Sequence, residues 1–233
     1  MNDKRNYHII IGSKAFFDSN LPLFDEDDDV HGFLELVKLS DAAKQNKVNI
    51  DFDTPILILK NDNYHGIIDA AHDRLGGLIE ELTTSDAEIY IHNPPQVLYD
   101  YLKSQRNRDI IELDILTQEY TINKNSSEFA KNMQAISEHI IGQENAINEI
   151  SKSLWYLTNV NRSKPYVIML YGNSSLGKTE LVREIANKFF DGKFYEKHLS
   201  MFKNNNYSDY FFGDAPNRKS LGYDLLERES NLI

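Results

Sequence analysis

The sequence predicts an α/β protein in two parts, a small α/β N-terminal domain followed by the front part of a second α/β domain. Three observations lead there. Short β-branched, apolar runs alternate with segments whose apolar residues recur at the 3.6-residue spacing of a helix. One of those runs is joined to one of those helical segments by a loop of the pattern GxxxxGKT. Charge is unevenly spread: residues 1–125 hold 23 acidic and 12 basic side chains and residues 126–233 hold 13 of each, so the formal net charge of −11 resides in the first part.

The elements follow in order. Residues 7–11 (YHIII) read as a strand closed by Gly12. Residues 25–29 (DEDDD) follow Pro22 and read as a solvated loop. Residues 30–44 fit a helix whose start Gly32 weakens, and residues 54–60 (TPILILK) fit a buried strand. After an NDNY turn, Ile67, Ile68, Ala71, Leu75, Leu78, Ile79 and Leu82 make the apolar stripe of a helix over about 65–82, which Gly76 and Gly77 kink or end early. Residues 88–91 (EIYI) read as a strand. Asn93 is placed to cap a helix with Pro94 at its first position and Val97, Leu98, Tyr101 and Leu102 on its buried face. This order predicts a small α/β sandwich with a mostly parallel sheet over residues 1–105. Residues 106–127 suit a strand or two, or a short helix, and are taken as the join between domains. A new helix starts at Asn125, with Glu128 as capping-box partner.

Composition narrows the function classes. An apolar content of 41% with 26% charged residues is a globular balance, which sets aside a disordered chain. The absence of cysteine removes disulfides and thiolate metal sites and fits a reducing compartment. No apolar run approaches the ~18 residues of a membrane span, and the first residues lack a secretory pattern, so a cytoplasmic protein with no membrane partner is expected. The acidic balance of the first part disfavours nucleic acid as a partner.

The motif with chemical content is Gly172-Asn173-Ser174-Ser175-Leu176-Gly177-Lys178-Thr179. Residues 166–171 (YVIMLY) precede it as an expected buried strand. Leu181, Val182, Ile185, Ala186, Phe189 and Phe190 mark one helical face after it. Glycines at both ends let the backbone turn tightly, so that successive N–H groups converge on phosphate oxygens. The following helix adds free N–H groups and the positive end of its dipole, worth roughly 0.3–1 kcal/mol and up to about 2 when partly buried. Lys178 is the group to reach the β- and γ-phosphates, and the Thr179 hydroxyl the group to ligate Mg²⁺.

Four separated blocks extend the motif: 140–155 (IIGQENAINEISKSLW), 177–190 (GKTELVREIANKFF), 194–202 (FYEKHLSMF) and 211–224 (FFGDAPNRKSLGYD). Together they resemble the AAA+ module of Clp-type unfoldases over about residues 138–233. The resemblance implies a partial P-loop AAA+ three-layer α/β domain over 128–233, with ATP and Mg²⁺ as ligands. It places Ile140 and Ile141 on the adenine side, beside Gly142 and Gln143. Glu180, in the Gly-Lys-Thr-Glu-Leu run, is placed by the same resemblance among the nucleotide-binding residues.

Two departures from the family stand out. The pore loop that grips polypeptide carries an aromatic before its glycine, whereas the matching residues are Lys219-Ser220-Leu221-Gly222, with Tyr223 after it. The family also follows with an apolar strand ending in Asp-Glu, of which residues 230–233 (SNLI) resemble the first half. The resemblance thus implies a piece of a longer protein-remodelling ATPase, homo-oligomeric when full length, whose N-terminal domain recognises a protein substrate or adaptor. This chain alone is expected to bind nucleotide weakly and hydrolyse almost none. Two other readings stand beside it. One is a nucleotide-controlled signalling or defence sensor or scaffold that threads nothing. The other is a P-loop GTPase or small-molecule kinase, against which the IIGQ block argues.

Other clusters are weaker. His65, Asp69, His72 and Asp73 lie on or beside one expected helix, but an apolar stripe competes for that helix. Residues 25–29 lack the spaced ligands and glycine of a calcium loop. Residues 204–213 (NNNYSDYFFG) mix Asn with aromatics yet have few basic neighbours, so a surface loop outweighs base stacking.

Overall fold

The computed structural model describes residues 4–48, 50–67, 69–120, 122, 125–160, 164–201, 206–213 and 220–233. The chain divides into two compact units, one formed by Met1–Gln118 with His198–Glu227, the other by Glu119–Lys197 with Arg228–Ile233.

The first unit opens with β1 (Asn6–Ile11), α1 (Lys14–Ser19), β2 (Val30–Gly32), α2 (Phe33–Asn46) and β3 (Thr54–Leu59). A 3₁₀ turn (Asn61–Gly66) leads to α3 (Asp69–His72), α4 (Leu75–Leu82), β4 (Thr83–His92), α5 (Gln96–Asn107) and β5 (Glu112–Thr117). The strands form a sheet of order β2-β3-β4-β1-β5, and every pairing is parallel. The α/β class and the parallel sheet are as the sequence predicts.

Topology explains the core. The β1-to-β2 connection runs one way across the sheet and the later crossovers run the other way. Right-handed crossovers therefore place α2, α4 and α5 on one face and α1 on the opposite face. Burial agrees with this arrangement. Register aligns Tyr7, Leu57, Ile89 and Leu113 in one row and Ile9, Leu59 and Ile91 in the next. Both rows are buried against Phe33 and Leu36 of α2, Ile79 and Leu82 of α4, and Leu98 and Leu102 of α5. On the other face Phe17 of α1 stacks on His92 with ring centroids 4.6 Å apart, while the row containing His8 and Tyr90 is half-buried. There His8 stacks on Tyr90, and its Nε2 lies 2.7 Å from Glu88 Oε2.

Several elements differ from the sequence reading, each for a local reason. The helix expected over 65–82 is broken into the 3₁₀ turn, α3 and α4. Gly76 does not kink α4. It lets α4 approach Tyr101 of α5, since a Cβ there would sit 2.3 Å from the ring. Residues 30–32 form β2 rather than the start of a helix, because β3 offers them a ladder partner. Asn93 does not cap α5, whose N-cap is Pro95. Its side chain instead ties the end of β1 to the end of β4, accepting from Gly12 N–H at 3.0 Å and donating to Gly12 C=O at 2.9 Å. Gly12 itself has φ +158°, and a Cβ there would lie 2.6 Å from Gln118 Cβ. The stretch 106–127, taken as a join, supplies β5 to the sheet edge.

The second unit contains α6 (Ser126–His139), α7 (Glu144–Asn159) and α8 (Lys178–Phe189). Asn125 caps α6 as predicted, its side chain accepting from Ser127 N–H at 3.0 Å and Glu128 N–H at 3.3 Å. Phe129, Met133, Ile136, Ile147, Ile150, Leu154, Leu181 and Ile185 form the core. Residues 166–171 are not the buried strand expected of them: they carry no strand assignment, and Val167, Met169 and Tyr171 are 80–90% exposed. A strand is stabilised through its ladder, and among the described residues this unit has no strand to pair with.

The chain then adds α9 (Asn206–Phe212) and α10 (Leu221–Leu226) to the first unit. Tyr210 donates to Asp224 at 2.6 Å, and Tyr223 donates to Asp62. The carboxylate of Glu227 accepts from Lys14 N–H at 2.9 Å and from the Asn61 amide at 2.7 Å. Lys219, the first residue matched to the pore loop, lies outside the described residues, and Ser220 caps α10. Among the described residues no helix is long and apolar enough to cross a membrane.

Ile89→Ala removes a fully buried side chain from the centre of the sheet and is expected to cost about 2–5 kcal/mol in urea unfolding followed by circular dichroism. Ile141→Ala, at a residue 88% exposed, is expected to stay within about 0.5 kcal/mol. Equal losses in the two variants would contradict this core.

Candidate functional site

The loop between residue 171 and α8 has the backbone its sequence requires. Gly172, Ser175 and Gly177 have φ of +146°, +64° and +78°. Left-handed residues interleaved with right-handed ones are what build a nest of converging N–H groups. Gly177 is needed for conformation and not for space, since a Cβ there would meet nothing within 4 Å.

Lys178 turns back into this loop. Its ammonium donates to the carbonyl of Gly172 at 3.0 Å and to that of Asn173 at 2.5 Å, so the loop holds its own cation at its mouth. A phosphate adds charge–charge attraction that neutral carbonyls lack, so it competes well for that ammonium. Gly177, the N-cap of the 12-residue α8, makes no side-chain cap, which leaves the first-turn amides without that acceptor. Asn173, Ser174, Ser175 and Leu176 are exposed along the loop, as is Thr179, whose hydroxyl is the group suited to Mg²⁺. The donor set fits a di- or triphosphate with its metal: converging amides, one ammonium and one hydroxyl.

The IIGQ block reaches the same loop. The Gln143 amide donates to the Leu176 carbonyl at 2.9 Å, which ties the start of α7 to the loop. Ile140 is buried in the helical core, whereas Ile141 projects into solvent and Gly142 has φ +80°. Of the two isoleucines, only Ile141 therefore offers free apolar surface.

Glu180 is exposed in the first turn of α8. With Glu184, one turn along α8, and His139 it forms a cluster whose ligand atoms lie within 4.8 Å of one another. His139 Nε2 is 3.9 Å from Glu184 Oε1, and exposed acidic groupings of this kind are common without an ion. His72 is buried and Asp73 is exposed, while the side chains of His65 and Asp69 lie outside the described ones.

A second concavity lies in the first unit, where Tyr64 and His72 converge near the carboxyl ends of β1, β3 and β4. The sequence presents these residues as separate features, and no spacing signals their convergence. Compared with family models, curated proteins and solved structures, the chain shows no match in any of the three.

Gly177→Ala tests the loop backbone. Alanine is disfavoured by roughly 1–2 kcal/mol at a left-handed φ, so the empty loop relaxes and must be forced back on binding. ATP affinity is expected to fall about 5- to 30-fold by calorimetry with the helical dichroism kept. Unchanged affinity would show that the loop's left-handed geometry is not what holds the ligand.

Proposed function

We propose that this chain binds ATP with Mg²⁺ at residues 172–179 and forms part of a Clp-like AAA+ ATPase that remodels other proteins. The observation that carries the reading is the Lys178 ammonium held inside a nest-like loop at an uncapped helix end. Gly172 to Gly177 supply amides to the phosphates, Lys178 neutralises the β- and γ-oxygens, and Thr179 holds the metal. Bound Mg²⁺ supplies further charge neutralisation on those oxygens. Gln143 fixes the loop from the side, and Ile141 provides apolar surface for the base. Glu180, though part of the matched run, is assigned no contact beyond the first turn of α8.

In this reading the first unit recognises a protein substrate or adaptor, and the longer protein assembles into a homo-oligomer in the cytoplasm. Phosphoryl transfer depends on positioning and charge stabilisation from several directions.

One observation favours a second reading, a nucleotide-controlled sensor or scaffold that threads no polypeptide. Residues 221–226, at the step matched to the gripping loop, form α10 and belong to the first unit, with Tyr223 bonded to Asp62. An aromatic held in this way is not free to grip. Both readings share the nucleotide site.

Lys178→Ala is the direct test. By isothermal titration with MgATP, the wild-type chain is expected to bind and the variant to lose at least tenfold in affinity, with GTP competing poorly against ATP. Equal binding by wild type and variant would remove Lys178 from the site. Preferential GTP binding would remove the adenine-side assignment of Ile141.

A further inference from the structure

Residues 166–171 (YVIMLY) have the side-chain pattern of a strand but no sheet around them. Val167, Met169 and Tyr171 are 83%, 80% and 90% exposed. Between them Tyr166 and Ile168 are 41% and 42% exposed, and Leu170 packs on the helical core of the second unit. Exposure thus alternates with the two-residue period of extended backbone, one face toward the core and one in water.

Among the described residues, no main-chain N–H or C=O of residues 167–171 has a main-chain partner. A row of such groups is a template for another strand. Protein edges commonly carry a charge that discourages this pairing, yet no charged residue stands between Lys164 and Lys178. The apolar end of the chain is engaged elsewhere: the Leu232 carbonyl accepts from Tyr195 N–H at 2.9 Å.

The run complements itself. Two identical antiparallel strands related by a two-fold axis pair residue i with j and j with i, so one residue faces its own copy. The unpaired backbone of 167–171 is centred on Met169. Setting Met169 opposite Met169 places Val167 against Tyr171 and Ile168 against Leu170, an aromatic–β-branched pair and an aliphatic one, both favourable across a ladder. Centring on Ile168 instead opposes Tyr171 to Pro165, which has no N–H to give. Residues 126–233 hold 13 acidic and 13 basic side chains, so two copies of this part meet without net repulsion.

We infer that residues 166–171 join two copies of this chain as antiparallel strands about a two-fold axis at Met169. A ladder of this length buries less than the ~1,200 Å² of a standard stable interface, which sets a weak dimer with a Kd of roughly 1–100 μM. The inference concerns the segment before the loop and does not rest on what the loop binds.

The experiment uses the full chain. In sedimentation equilibrium from about 1 to 500 μM, the wild type is expected to pass from monomer to dimer. Met169→Lys and Met169→Asp, at an exposed residue, are each expected to weaken the dimer at least tenfold by setting like charges face to face, and a 1:1 mixture of the two to restore it. The chain has no cysteine, so a single introduced thiol bridges only to its copy. Residues directly opposite lie about 4.5–5.5 Å apart, within disulfide reach, whereas the two copies of Val167 lie roughly 13 Å apart in this register. Mild oxidation is expected to cross-link Met169→Cys at least fivefold more than Val167→Cys. A wild-type chain that stays monomeric at the highest concentration overturns the inference and leaves this face to a different partner. So does a mixture of Met169→Lys and Met169→Asp that stays monomeric. Equal cross-linking of Met169→Cys and Val167→Cys, the result of a parallel or unspecific contact, overturns it as well.

Discussion

Parallel ladder pairing of β1 with β4 on one side and β5 on the other is the constraint on which the first unit depends. Parallel strands cannot be joined by a tight turn, so each pairing demands a crossover, and crossovers have one hand. With β1 inside the sheet, its exit must run against all the later ones. That single fact puts α2, α4 and α5 over the rows of Ile9, Ile89 and Leu57 and the short α1 on the other face. It also parts the chain at the ends of β1 and β4, where Asn93 stitches Gly12 and a cavity opens beside the stitch.

The second unit rests on a different balance. Its three helices share a compact apolar core in which Phe129 meets Trp155 and Phe189, ring centroids 5.2 and 5.1 Å apart. The apolar run before the loop makes little use of that core: Leu170 touches it, while Val167, Met169 and Tyr171 stand in solvent. The loop nevertheless keeps its shape, because its order comes from local backbone geometry, from Lys178 and from Gln143, not from a sheet. Its ends differ from that of α6, where Asn125 satisfies the first amides. At α8 no side chain does so, and an external anion is the acceptor that the site invites.

What the sequence discloses follows the range of the forces involved. The glycine-bearing loop at 172–177, the Asn125 cap and the strands at 6–11 and 54–59 are written in a few consecutive residues, and the structure has them where spacing puts them, the loop with its positive-φ residues. Elements that exist only through distant partners are hidden. β2 is three residues long and stands out only beside β3, and β5 gains its identity from β1 more than a hundred residues earlier. The pairing of Asn93 with Gly12 and the convergence of Tyr64 with His72 are likewise products of the fold. The opposite error occurs at 166–171, where strong β-propensity finds no partner strand. The AAA+ reading shares this division: its local signature is plain, and its sheet is not present among the described residues.

On the proposed reading, main-chain amides of residues 172–179, with Lys178, hold a triphosphate. Hydrogen–deuterium exchange of the wild-type chain with and without MgATP tests it most directly. Exchange is expected to slow across the loop and the first turn of α8, with the β1, β3 and β4 amides unchanged. Unaltered exchange in the loop at saturating MgATP, or protection confined to the first unit, would contradict it.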